Sequence, residues 1–277
     1  EVEREEVEQI FERLGLTKKN HVSGFATWNV PSWRFDIEIQ QDLIEEIARI
    51  KGYDNLPVTL PRFEAKTKNV KDHKTDILKD ILVNKGYQEA VTYSFIDPEV
   101  RRLLFKDIQG LTLLNPISNE MSEMRVSVWP GLINAALHNL NRQQTRIRLF
   151  ELGQCFMPDG NTLTGYQTQF AGLICGSRYE KSWSTLAVNV DFYDLKGDVE
   201  TLLYTIVKAE ECEFKTKSYE FFHPGQSAEI LINKEVAGCL GRLHPSIECK
   251  LNFKQPVYLF EININKVVTT IDEGFEG

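Results

Sequence analysis

The chain has 277 residues, 42% of them hydrophobic and 26% charged, with a formal net charge of −8. Roughly three quarters of the surface of an unfolded chain this long can be buried, enough for one large domain or a small one joined to a larger one. The acidic balance weighs against clamping a nucleic acid unaided, no apolar run approaches the ~18 residues of a membrane span, and five cysteines without a CxxC pair indicate neither a disulfide framework nor a zinc knuckle, as fits a reducing cytoplasm.

Val7, Ile10, Phe11 and Leu14 recur at helical spacing, and Gly15 is placed to end that helix. Alternation from Val22 to Val30 predicts a strand with Val22, Ala26, Trp28 and Val30 on one face. A second helix is expected from Gln41 to Lys51, closed by Gly52, with Leu43, Ile44, Ile47 and Ile50 on its apolar side. The linker "LPVTLPRFEAKTKN" puts a domain boundary near residue 62, giving units 1–62 and 63–277.

The remainder opens with a helix over 71–85, with Ile77, Leu78, Ile81 and Leu82 inward and Gly86 after it. A strand carrying Val91, Tyr93 and Phe95 on one face follows, then the helix "GLINAALHNL". Further strands fall near 146–156, 167–175, 227–232, 235–241 and 256–264, interrupted by a helix near 192–208. Asn233-Lys234 between two alternating runs reads as a tight hairpin turn. Adjacent strands with occasional helices point to an α+β fold with a mostly antiparallel sheet.

The chemistry-bearing residues concentrate between positions 36 and 46. On a helix Asp42, Glu45 and Glu46 share a face, and Asp36, at the end of the preceding strand, can swing onto the same patch. Two readings stay open from spacing alone. One is a solvated face on which Glu45 pairs with Arg49. The other is a hard-oxygen ligand set for Mg²⁺, whose excess negative charge calls for a positive group from a partner. Elsewhere Asp191 and Asp194 resemble a helix-capping pair. His223 and His244 stand singly, and Ser94, Ser118 and Ser127 have no GxSxG context.

The segment "VPSWRFDIEIQQDLIEEIARIKGYDNLP" resembles a hallmark of the bacterial phenylalanyl-tRNA synthetase beta-subunit family. The likeness continues in order through "KGYQEAVTYSFIDP", "LLNPISNEMSEMRVSVWPGLINAALHNLNRQ", "RIRLFELGQCF", "VDFYDLKGDVETLL", "HPGQSAEI" and "PVYLFEI". It spans nearly the whole chain, and the start at Glu1 without Met then reads as that of an internal fragment. The resemblance implies a small truncated helix-turn-helix or winged-type domain, like DNA-binding domains. A class II aminoacyl-tRNA synthetase-like antiparallel sheet flanked by helices would follow. It further implies that Asp36, Asp42, Glu45 and Glu46 bind Mg²⁺ in a site shared with an alpha subunit. The holoenzyme it implies is a cytoplasmic heterotetramer of two alpha and two beta chains that uses ATP and tRNA(Phe).

Class II activation of an amino acid places charge on the α-phosphate and calls for fixed cations there. The strand signature is an aromatic residue, Arg, any residue, then an acid. Its nearest match is Phe156-Met157-Pro158-Asp159, with Met where arginine should stand and a proline expected to break the strand. Arg148 with Glu151 fails as an alternative, because i and i+3 on a strand face opposite ways. The late glycine-rich, arginine-bearing helix is also missing after "PVYLFEI". No catalytic residue is therefore expected in this chain. It reads as a scaffold whose Thr75–Asp97 segment and "SVWPGLINAAL" helix pack against the alpha chain. A nucleic-acid-binding module and an autonomous class II-like ligase are the alternatives.

Overall fold

The computed structural model describes residues 2–22, 25–61, 73–159, 162–185 and 187–268. They belong to two units, Glu1–Lys68 and Asn69–Gly277. The boundary expected near residue 62 lies outside the described residues.

In the first unit, helix α1 (Arg4–Arg13) is stopped by Gly15, whose φ of +86° is open to glycine and strained for other residues. A hairpin of β1 (Thr17–Val22) and β2 (Phe25–Asn29) follows, then helix α2 (Gln40–Lys51). The expected single strand from Val22 to Val30 is thus a hairpin that begins five residues earlier and ends at Asn29. Asp36 lies in a turn and not at a strand end. Ile10, Phe11, Leu16 and Ile37 form the core with Trp28, Leu43 and Ile47 packed against it. The Phe11 and Trp28 rings meet edge-on at 5.0 Å. Ile44 and Ile50, expected inward on α2, are exposed. The two helices are joined through a β hairpin instead of a short turn.

The second unit begins with α3 (His73–Asn84), which buries Leu78 and Leu82, and Gly86 follows at φ +82°. Next come β3 (Gln88–Glu89), β4 (Phe95–Ile96), α4 (Pro98–Leu104), β5 (Glu123–Met124) and α5 (Trp129–Leu140). The long pair β6 (Arg146–Asp159) and β7 (Thr162–Gly176) precedes α6 (Phe192–Tyr204), which starts on a full capping box made by Asp191 and Asp194. The chain continues as β8 (Cys212–Thr216), β9 (Phe222–Ile232), β10 (Glu235–Leu243), α7 (Pro245–Lys250), β11 (Val257–Asn263) and α8 (Ile264–Val268). Asn233 and Lys234 both take positive φ, as a two-residue β9–β10 turn requires.

Seven strands form one sheet in the order β3-β6-β7-β11-β10-β9-β8, antiparallel except for the parallel pairing of β3 with β6. Alternation splits its residues between two cores. Phe150, Phe170, Ile230, Leu240 and Phe260 pack with α3, α6 and α8 on one face. Leu149, Cys155, Leu173 and Leu259 pack with α4, α5 and α7 on the other. The strand expected to carry Val91, Tyr93 and Phe95 does not form: Val91 and Tyr93 are exposed, and only Phe95–Ile96 pairs, with β5. Pro158 does not end β6, because the register shifts between Met157 and Pro158 and a bulge absorbs the missing donor.

At Gly172 on β7, a Cβ would sit 2.2 Å from Cε1 of the fully buried Phe260. Gly172→Ala should therefore lower stability by about 1–3 kcal/mol through overpacking. Chemical denaturation with an unchanged m-value would show the loss as packing.

Candidate functional site

The four carboxylates of the acidic segment do four different things. Glu46 follows Leu43 by three residues and precedes Ile47, so it shares their buried side and is itself buried. Its carboxylate is held by Arg49 at 2.6 Å and Arg34 at 2.9 Å, which keep it below its ordinary pKa. Asp36 is bound by the same Arg34 at 2.7 Å and is also pulled down. Asp42 closes the start of its own helix, accepting the backbone N–H of Glu38 at 2.8 Å and of Ile39 at 2.9 Å. Glu45 is exposed. The expected Glu45–Arg49 pair is replaced by Glu46–Arg49, and Asp42, Glu45 and Glu46 do not project as one patch.

As donors these carboxylates suit a hard cation. As arranged they do not fit one: Arg34 already neutralises two of them, Asp42 is engaged by backbone donors, and no metal-competent group of three or more converges among the described residues. Arg34 is the residue that spacing missed. Its position two before Asp36 was visible, but its reach to Glu46 depends on the turn between them.

Arg148 on β6 and Arg125 beside that strand are already engaged. Arg148 faces α6 and places Nη1 2.6 Å from Asp198, which also accepts Tyr87 Oη at 2.9 Å and Lys85 Nζ at 3.1 Å. Glu151 points to the opposite face, as its spacing from Arg148 requires. There it accepts Arg125 Nη1 at 2.7 Å and Thr92 Oγ1 at 2.7 Å, while Arg125 Nε donates to the Gln154 carbonyl at 2.8 Å. The histidines are local caps: His244 Nδ1 accepts the N–H of Ser246, and His223 Nδ1 that of Gly225.

The family model for the phenylalanyl tRNA synthetase beta chain CLM domain matches residues 56–264. The chain belongs to that family. The model for the tRNA synthetase B5 domain matches residues 1–53. The phenylalanine–tRNA ligase beta subunit of Colwellia psychrerythraea is 44% identical over 274 residues, covering 96% of this chain and 34% of that protein. The corresponding subunit of Pectobacterium atrosepticum is 43% identical over 273 residues, with the same coverage. The chain thus spans about a third of the length of these relatives. A crystal structure of pyrrolysyl-tRNA synthetase from Desulfitobacterium hafniense superposes with a TM-score of 0.54 at 15% identity, covering 72% of this chain and 68% of that one. The mixed α/β fold with a mainly antiparallel sheet therefore resembles that of this synthetase.

Within this CLM-family core, Glu261 on β11 accepts Ser127 Oγ at 2.8 Å and the Val128 N–H at 2.9 Å, where α5 begins. Burial of the carboxyl outweighs those two bonds and pushes its pKa up to about 7. An acid raised in the fold binds protons that the unfolded chain has released, so its ionisation removes stability as pH climbs from about 4.5 to about 7. Glu261→Gln retains an acceptor without the charge. Urea unfolding should show it more stable than the parent by about 1–3 kcal/mol at pH 8, with the difference gone at pH 5. A constant difference across that range would place the proton elsewhere.

Proposed function

We propose that this chain is the docking and scaffold portion of a phenylalanine–tRNA ligase beta subunit, and that it does not itself activate the amino acid. The observation that carries the reading is the neutralisation of Arg125 by Glu151 and of Arg148 by Asp198. Neither guanidinium is free to meet the charge that develops on an α-phosphate. The whole enzyme would attach phenylalanine to tRNA(Phe) with ATP in the cytoplasm, as a heterotetramer of two alpha and two beta chains, with the chemistry on the alpha side.

What supports docking is apolar surface left uncovered. Trp33 and Phe35 are 69% and 86% exposed and immediately precede the acidic segment. In the second unit Val91, Tyr93, Leu114 and Ile117 are likewise exposed. Scattered apolar residues are ordinary on a surface, but exposed large aromatics of this kind are what interfaces bury. The α5 helix contributes less than its sequence promises, since Trp129, Leu132, Ile133 and Ala136 are buried in this chain's own core. In this reading the first unit is a DNA-binding-type module reused for protein contact. The hairpin beside two helices supports the likeness, and the acidic segment disfavours nucleic acid.

Magnesium belongs to this proposal only for the assembly. In the chain alone Arg34 already holds the charge that a cation would balance, so calorimetric titration should show no micromolar Mg²⁺ binding; tight binding would overturn the assignment to a shared site. For docking, Trp33→Asp and Phe35→Asp should each sharply reduce co-purification with an alpha chain while leaving the chain's own stability within about 0.5 kcal/mol, as exposed positions do. Full recovery of the alpha chain with both substitutions together would remove this surface from the interface.

A further inference from the structure

Arg146, in the second unit, is a half-buried cation that makes no side-chain hydrogen bond or ion pair among the described residues. Arg146 opens β6, its Nε is buried without a hydrogen-bond partner, and its guanidinium makes no ion pair among the described residues. The Nε of Arg148 is likewise buried and unpartnered, although Nη1 of that residue is bound to Asp198. A buried guanidinium nitrogen left without an acceptor is costly, and a fold that retains one leaves a place for an anion. Both arginines line a polar cavity of about 460 Å³ together with Gln88, Asn139, Gln144 and Lys181.

The charge around this cavity is positive, against the sign of the whole chain. Of the charged residues that line it, Arg146, Arg148 and Lys181 outnumber Glu180, and Asp198, which holds Arg148, is already saturated by Tyr87, Arg148 and Lys85. Burial and the neighbouring Arg148 draw the Arg146 pKa down, against the weaker opposing pull of Glu180, Tyr87 and Asp198. The guanidinium rests over Gly86, where a Cβ would come within 2.9 Å of Nη2. Glycine at that turn therefore serves both its φ of +82° and the placement of the arginine.

We propose that this cavity is a binding site for a small phosphate-bearing molecule, with Arg146 as the principal ligand of the phosphate and Lys181 in support. A planar guanidinium can offer two parallel N–H donors to a phosphate. The amides of Gln88, Asn139 and Gln144 provide neutral donors and acceptors for the rest of the molecule. The volume lies within the range of small-molecule sites, whereas a macromolecular partner would be met by a broader surface.

The test is calorimetric titration of the full chain with inorganic phosphate, adenosine monophosphate and malonate at constant ionic strength. Phosphate should bind in the millimolar range and the nucleotide more tightly. Arg146→Gln should weaken phosphate by about tenfold or more, and Lys181→Ala by severalfold. Because Arg146 makes no hydrogen bond or ion pair among the described residues, Arg146→Gln should be at least as stable as the parent without ligand. Equal phosphate affinity in the parent and Arg146→Gln overturns the proposal, and so does binding of malonate without phosphate. If Arg146→Gln fails to fold, the exposed Lys181 decides, and unchanged affinity in Lys181→Ala overturns it as well.

Discussion

A charge on a sheet covered on both faces has to meet its counter-charge on the layer packed against it, because an unpaired ion there costs several kcal/mol. Strand β6 shows the consequence residue by residue. Arg148 reaches α6 and Asp198, and Glu151 reaches across the other face to Arg125. Each pair ties β6 to a different part of the fold, so both charges serve architecture. Arg146, at the open end of the same strand, makes no such ion pair among the described residues, and the polar cavity gathers around it.

The same constraint governs the acidic segment. Helix geometry puts Glu46 beside Leu43 and Ile47, so its carboxylate is carried inward and two arginines are drawn in with it. Arg34 then binds Asp36 too, which locks the turn before α2. Asp42 is committed to the helix start. A run of acids that looks like one ligand patch in the sequence is thus partitioned among an ion pair, a buried triad, a cap and one free side chain.

Local signals were legible where local physics decides. Gly15 and Gly86 end helices because their φ is positive, Asn233-Lys234 turns a hairpin, and Asp191 with Asp194 caps α6. The long strands followed from alternation, since their two faces meet two different cores. What was not legible depended on partners distant in sequence. Val91 to Phe95 alternate like a strand, but nothing pairs with them before Phe95. β8 is short and pairs only with β9, while α4 and α7 are too brief to show a period. Arg34 and Arg125 find their carboxylates by tertiary approach, which spacing along the chain does not encode.

Neutralised charges also shape what a second chain would meet. A partner approaching Trp33 and Phe35 would bury two large rings beside carboxylates whose charge Arg34 largely screens, so association there gains from apolar burial without desolvating naked ions. Glu45, exposed and unpaired, is the acid left to steer and orient that approach, a role suited to rim charges more than to affinity. A surface that leaves rings such as Trp33 and Phe35 uncovered beside carboxylates already paired is built to be covered. That is the physical sense in which a synthetase-like body can act as a platform.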